Sequence, residues 1–430
     1  MRAEERLDRA RLSAYQGERL TQLLAVVYGR NRFYTRKFDQ AGLAIDRLVF
    51  PRDLARLSLT TKAELVADQA ANPPWGTDLT WPQEDYTRYC QTSSSTGSPL
   101  RWLDTNESWQ WLVDCWTSVF RGAHASAADR AFFPFSFGPF LGFWTGFEAG
   151  WQMGIQVIPG GGMSSQQRLA MIDAVSPTIV CCTPTYALHL ADVAEASERP
   201  RRLIDSSVRM VIVAGEPGGS IPATRERIER GWGARVIDHH GLTEVGPVSF
   251  ECWEAPGYLH LIETAYICEI LDPETAAAVE DGTQGELVVT NLGRTGSPVI
   301  RYRTGDIVVR DGAACPCGRT WARLRGGVVS RADDMVNVRG VNVYPSAIEA
   351  VVRRHPDVVE FRSIVTRQQA LASLVLEIEI GDHTAERDAV AATLTAQLRD
   401  ALGLTVPVTV VDAGVLPRFE MKARRFIIER

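Results

Sequence analysis

The sequence predicts an α/β protein: a large N-terminal domain of several subdomains, followed by a small α+β C-terminal domain. Three observations predict it. Short apolar strands alternate with helical segments through the middle of the chain, as in "VRMVIVAGEPGGS" and in "TRERIERGW" before "GARVIDHHGLTE". Loops at the ends of such strands are where ligands usually bind. From Glu286 the pieces "ELVVTNLG" and "DIVVRDG" read as strands with glycine at the turns. Near Ser330 the pattern changes to a β-α-β-β-α-β order, a unit of about 100 residues.

Each element has a local reason. Up to about Ala41 the chain reads as helical, with Leu20, Leu23, Leu24 and Val27 as an apolar stripe. The most apolar stretch, "AFFPFSFGPFLGFWTGF", is interrupted by Gly and Pro and is not expected to span a bilayer. "SRADDMVNVRGVNVYPSAIEAVVRRH" reads as a polar hinge, a short strand and a helix that starts after Pro345. "VEFRSIVTR" and "LASLVLEIEI" follow as strands. A helix then carries Val390, Leu394, Leu398 and Leu402 at spacing four and ends at Gly403. "VPVTVVD" supplies a further strand. The expected domains are 1–332 and 333–430.

Composition narrows the function classes. Apolar residues make up 45% and charged residues 23% of the 430, a soluble globular profile. A net charge of -6 predicts no strong attraction to nucleic acid or to an anionic membrane. The N-terminal "MRAEERLDRARLSAYQGERL" lacks the apolar core of a signal peptide, so a cytoplasmic enzyme is the default expectation.

The eight cysteines are scattered, apart from Cys181-Cys182 and the tight pair Cys315 and Cys317. In a reducing compartment such a pair suggests metal before disulfide. Cys252 and His260 in "ECWEAPGYLHL" complete three thiols and an imidazole, a donor set typical of closed structural Zn²⁺ sites. Cys90, Cys181 and Cys182 read as small buried apolar residues.

Four further motifs carry candidate chemistry, and each alone has an ordinary reading. "TSSSTG" (Thr92, Ser93, Ser94, Ser95, Thr96, Gly97) can offer hydroxyls and amides to a polyphosphate, or be a solvated loop. It lacks the Gly-Lys-Ser/Thr ending of a Walker loop. In "DHHGLTEVGP", Glu244 beside Thr243 can hold Mg²⁺ on a phosphate, and the flat ring of His240 can stack on a base. Asp306 in "RYRTGDIVV" can accept two ribose hydroxyls, because a carboxylate has two acceptor oxygens. Lys422 in "LPRFEMKARRF" is, alone, a solvated charge.

The order is more telling than the parts. A hydroxyl loop, "AGEP" after a strand, "HGLTE", "YRTGD", "RADDMVNVRG" and a terminal Lys closely resemble the acyl-adenylate-forming enzymes. "VRGVNVYPSAIE" and "CPCGR" resemble the phenylacetate-coenzyme A ligase branch in particular. The resemblance runs from about residue 10 to Lys422. It implies that a carboxylate is joined to AMP with release of pyrophosphate, and that the acyl group then passes to the thiol of coenzyme A.

The resemblance also implies roles. Ser93 to Gly97 would wrap the β- and γ-phosphates of ATP, with Thr92 beside them among the nucleotide-binding residues. Ala214, Gly215, Glu216 and Pro217 would line the adenine pocket, with Asp238, His239, His240 and Gly241 also on the nucleotide side. Thr243 would touch the α-phosphate and Glu244 would bind Mg²⁺. Asp306 would hold the ribose, with Arg331 near ribose and phosphate. Asp333 would be the hinge of a mobile C-terminal cap, and Lys422 the catalytic lysine of the first step. Ser94 stands where that family usually has Gly, and Met421 where Gly commonly precedes the lysine.

Phe135, Phe137, Phe140 and Trp144, with Pro184, Thr185 and Tyr186 from "CTPTYALHLA", are the candidate walls of an acyl pocket. His239 is a candidate neighbour of that pocket. Together these imply a small aromatic carboxylic acid as substrate, with ATP, Mg²⁺, coenzyme A and structural Zn²⁺ as cofactors. No nucleic-acid or membrane partner is implied, and a homodimer is left open. The alternatives are adenylation with another acceptor (an amine, a carrier protein or nitrite) and a nucleotide-binding protein without turnover.

Overall fold

The structure is a computed structural model, and it describes all residues except 93–98, 200, 333–335, 339–340, 369–370, 382–386, 420–422 and 430. Two helices open the chain, Arg9–Val27 and Arg32–Gln40. Asp8 caps the first by accepting from the Arg11 amide at 2.8 Å, and Asn31 caps the second through the Tyr34 amide at 3.0 Å. The expected stripe of Leu20, Leu23, Leu24 and Val27 is buried. Burial of a side chain of this size contributes roughly 1.5–3 kcal/mol.

The centre of the large domain is one sheet of eleven strands. In spatial order they are Tyr266–Leu271, Gln284–Asn291, Tyr302–Asp311, Arg323–Arg331, Tyr258–Leu261, Gly246–Glu251, Arg235–Leu242, Met210–Val213, Ile179–Cys182, Arg130–Phe133 and Gln156–Pro159. The last five pair in parallel, and the remaining pairings are antiparallel. The two innermost parallel strands, Ile179–Cys182 and Met210–Val213, are short and wholly apolar, as expected where a parallel sheet is covered on both faces. "MVIV" and "IVCC" are wholly buried, and burial pushes the Cys181 thiol well above its ordinary range.

Strand Arg235–Leu242 is the seam, parallel to one neighbour and antiparallel to the other. Gly219 lets the turn after Met210–Val213 lie against this seam. A Cβ there would come within 2.5 Å of the Asp238 carboxyl.

The small domain has its own core, including Ile348, Phe361, Leu376, Leu394 and Leu398. Helices Pro345–Val352 and Arg387–Leu402 cover a four-stranded sheet ordered Val408–Val411, Leu371–Ile380, Val358–Gln368, Phe426–Glu429. The last of these was not in the sequence expectation. Its four residues carry no turn signal, and only the parallel pairing of Ser363 with Phe426 and Ile364 with Ile427 makes them a strand. The expected hinge, Asp333, lies outside the described residues.

Candidate active site

The motif "HGLTE" is the tip of a hairpin, not an open loop. Strand Arg235–Leu242 turns through Thr243–Val245 into Gly246–Glu251, with Leu242 opposite Gly246. All three carbonyls of the turn are held from outside it. Arg294 Nη1 donates to Thr243 O at 2.8 Å and to Glu244 O at 3.1 Å, and the Tyr266 hydroxyl donates to Val245 O at 3.1 Å. Arg294 is itself fixed by a two-pronged pair with Asp104, at 2.7 and 2.6 Å. Both side chains are fully buried, and the guanidinium lies over the Trp102 ring. Neither Arg294 nor Asp104 was singled out from the sequence. A pair 190 residues apart leaves no local signal.

The clamped tip presents Glu244 in a buried position, where it accepts from the Tyr302 hydroxyl at 3.3 Å. Lys62 Nζ stands 3.1 Å from the same oxygen. Lys62 was also missed, although the sequence holds a signal for it. It is the first residue of helix Lys62–Ala71, where the helix dipole disfavours a cation. A lysine there suggests an anion opposite.

His240, Asp306 and Arg331 come together in the sheet. His240 Nε2 is 3.0 Å from Asp306 Oδ2, and Arg331 Nη1 donates to Asp306 Oδ1 at 2.9 Å. Asp306 and Arg331 are paired across adjacent antiparallel strands, which sets their distance. Burial alone would push the Asp306 carboxyl up. The hydrogen bond from His240 and the charge of Arg331 outweigh it and hold the group below the usual carboxylate range. Two bonds leave lone pairs on Asp306 for further donors.

Other candidates are placed as follows. Thr92 closes the neck of its loop, since its hydroxyl accepts from the Leu100 amide and its own amide donates to Leu100 O, both at 3.0 Å. Ser93, Ser94, Ser95, Thr96, Gly97, Met421 and Lys422 lie outside the described residues. Ala214, Gly215, Glu216 and Pro217 follow strand Met210–Val213, beside the seam, and Gly215 has a φ of 95° that favours glycine there. Asp238 accepts from Ser220 and from the His239 amide.

His239 is 5% exposed and packs on Trp116, with ring centres 4.5 Å apart. Its Nδ1 is 2.8 Å from Ser249 O, so the proton sits on Nδ1. Burial lowers its pKa to about 3.

The aromatic stretch divides by depth. Phe132, Phe133 and Phe143 are buried, whereas Phe135, Phe137, Phe140 and Trp144 are partly exposed. Phe137 meets Trp144 edge-on at 4.8 Å and Phe135 meets Phe143 edge-on at 5.1 Å. Tyr186 does not join them. It is 1% exposed, belongs to a separate core with Phe132 and Leu169, and bonds Arg168 through its hydroxyl.

Cys252, His260, Cys315 and Cys317 converge, with ligand atoms all within 4.8 Å of one another. Cys252 Sγ to Cys315 Sγ is 3.6 Å, and Cys317 Sγ to His260 Nε2 is 3.4 Å. A tetrahedral Zn²⁺ with ordinary Zn–S and Zn–N lengths would set these at ~3.8 and ~3.6 Å, so the donor set fits. His260 Nδ1 lies 3.2 Å from Trp321 O, which leaves Nε2 as the ligand atom. The Cys252 thiol, bonded to Cys317, holds Cys317 below the ordinary thiol range, toward the thiolate that metals need. Among the described residues no helix is long and apolar enough to cross a membrane.

Comparison with known proteins agrees with this geometry. Residues 45–294 match the AMP-binding enzyme family, and residues 340–430 match the AMP-binding enzyme C-terminal domain. The chain is 32% identical to a phenylacetate-coenzyme A ligase of Thermus thermophilus, covering 99% of this chain and 98% of that one. It is 31% identical to the Escherichia coli phenylacetate-coenzyme A ligase, over 96% and 94%.

Among solved structures, 2-hydroxyisobutyryl-CoA ligase in its postadenylation state superposes with a TM-score of 0.93 at 26% identity, covering 99% of this chain and 91% of that one. The same enzyme in its thioesterification state gives 0.75 at 27% identity, with the same coverage. The arrangement of the two domains here is therefore that of the former. The chain belongs to the AMP-binding enzyme family, as an adenylate-forming acyl-coenzyme A ligase of the phenylacetate-coenzyme A ligase kind.

Proposed function

We propose that the protein activates a small aromatic carboxylic acid with ATP and Mg²⁺ and transfers the acyl group to coenzyme A. The observation that carries this reading is the joining of His240, Asp306 and Arg331 beside the Thr243–Glu244 tip. That gives one wall for a base and ribose and another for phosphate. The partly exposed rings of Phe135, Phe137, Phe140 and Trp144 support an aromatic acid. The names of the full-length relatives support it too.

The chemistry follows from the charges. Attack of a carboxylate on the α-phosphate brings two anions together. Mg²⁺, when bound, neutralises phosphate charge. Glu244 is the residue to hold it, and Lys62 must then turn from that carboxylate toward the phosphates. Thr243 offers a hydroxyl at the α-phosphate. Asp306 accepts the ribose hydroxyls and fixes the sugar. Lys422 supplies the cation at the reacting oxygens, and preorganised charge of this kind is usually the largest catalytic contribution. For the second step the small domain turns about Asp333 and the thiol approaches where Lys422 had been. Cys252, His260, Cys315 and Cys317 hold a structural Zn²⁺ that cross-braces the antiparallel half of the sheet.

The test is acid-dependent pyrophosphate exchange over a panel of aryl and short branched aliphatic acids, with mass spectrometry of the products made with coenzyme A, an amine or nitrite. Exchange with an aryl acid and an acyl-coenzyme A product is expected. Exchange with aliphatic acids alone would overturn the aromatic assignment. A product formed only with another acceptor would overturn the thiol.

A further inference from the structure

Glu216 lies in the "AGEP" turn, yet its carboxylate is engaged with two main-chain amides. Oε1 accepts from the Thr185 amide at 2.9 Å, in the first turn of helix Pro184–Glu195. Oε2 accepts from the Ala423 amide of the small domain, also at 2.9 Å. The first bond is a carboxylate at a helix N-terminus, favourable whatever the small domain does. The second crosses between domains.

A parallel contact runs beside it. The Thr185 hydroxyl accepts from Arg425 Nη1 at 3.1 Å, and Arg425 is held by Glu360 within the small domain at 2.5 and 2.9 Å. Thr185, Glu360 and Arg425 are all buried. Two further cross-domain bonds are polar as well: Arg227 Nη1 to Val358 O at 3.1 Å and Ser346 Oγ to Val329 O at 2.6 Å. A polar interface of this kind suits reversible docking.

We propose that Glu216 is a latch that holds the C-terminal segment in the arrangement used for adenylate formation, acting as a positioning residue for Lys422 through the amide of Ala423. Ala423 directly follows Lys422 in the chain, so the bond anchors the residue next to the lysine. When the small domain turns away, Glu216 keeps its bond to Thr185 and gives up only one partner. A glutamine could not replace it. Its single oxygen serves one amide, and its NH₂ would face the other N–H.

The inference rests on the adenylation reading above, and the test separates the two. In the intact chain, amide hydrogen exchange at Ala423 should be about tenfold faster in Glu216→Gln, the effect of losing one hydrogen bond to a charged group. Pyrophosphate-exchange kcat should fall about tenfold by the same argument, with the KM for ATP little changed. Thioester formation from supplied acyl-adenylate should change less than twofold. Thr185→Val keeps the amide donor, removes the acceptor for Arg425, and should lower exchange kcat in the same direction.

An unchanged exchange rate at the Ala423 amide would overturn the latch. So would a raised KM for ATP with kcat intact, which would assign Glu216 to the adenine pocket. If the wild-type chain exchanged pyrophosphate with no acid, the adenylation reading would fall. Amide exchange would still decide whether Glu216 holds Ala423.

Discussion

Replacing Asp104 by Asn tests whether the hairpin tip is set by a buried ion pair. Asp104 gives both oxygens to Arg294, at 2.7 and 2.6 Å, and both side chains are fully buried. Asn keeps the shape but presents one oxygen and one NH₂ group. One charge-assisted bond is lost, and a donor then faces a donor. A lost bond to a charged group costs about 1.5–3 kcal/mol, and the guanidinium also loses its countercharge. Breaking a buried pair from one side costs about 3–5 kcal/mol in all.

At ~2.1 cal/mol/K per residue, a large domain of roughly 330 residues has an unfolding entropy near ~0.7 kcal/mol/K, so its midpoint should drop by about 4–7 °C. Calorimetry of the intact chain measures this. Exchange of pyrophosphate, assayed well below the midpoint, should fall as well, because Arg294 also holds Thr243 O and Glu244 O. The double variant Asp104→Asn, Arg294→Met removes the orphaned charge and should recover at least ~2 kcal/mol, since apolar replacement of a buried pair is often neutral. A midpoint shift of less than ~1 °C in the single variant would refute the reasoning, given the entropy used above.

Three further outcomes follow from the same structure. Metal analysis should find one Zn²⁺ per chain, and Cys317→Ser should lose it and melt at lower temperature; a full-length chain purified without chelator and lacking zinc would refute the site. Lys422→Ala should slow pyrophosphate exchange by two to three powers of ten, roughly 3–4 kcal/mol, with little effect on thioester formation from supplied adenylate. His239 binds its proton only when unfolded between its ordinary pKa and about 3, so stability is full above pH 6.5 and declines as pH falls. Between pH 6.5 and 5 the loss is about 2 kcal/mol. Urea midpoints at the two pH values should differ less in His239→Gln than in the wild type.

Much of the site was legible because its chemistry is written in short motifs at strand ends. "HGLTE" marks a hairpin tip and "YRTGD" opens a strand, and the sheet brings the two together where His240 meets Asp306. The candidate metal cluster was legible as two close pairs, Cys252 with His260 and Cys315 with Cys317, beside the alternative of free thiols; the fold brings their ligand atoms within 4.8 Å of one another. What stayed hidden depends on partners far along the chain. Arg294 in "NLGRTGSP" looks like any loop arginine until Asp104 is placed against it. Tyr186 looked like a pocket wall because it follows a strand, but the helix turns its ring inward to Arg168. Glu216 was read as lining adenine from its motif, while its hydrogen-bond partners come from a helix start and from the far C-terminus.

The two walls of the proposed site hang from different supports. The wall proposed for phosphate depends on a hairpin turn pinned at three carbonyls by Arg294 and Tyr266. The wall proposed for the acid depends on a glycine- and proline-broken segment whose rings pack edge to face around Phe133 and Phe143. Changing a ring at Phe137 or Trp144 touches none of the bonds that fix Glu244. Under the proposed function, substrate choice and turnover chemistry rest on separate supports, so a designer who wants a new acid can work on one wall without rebuilding the other.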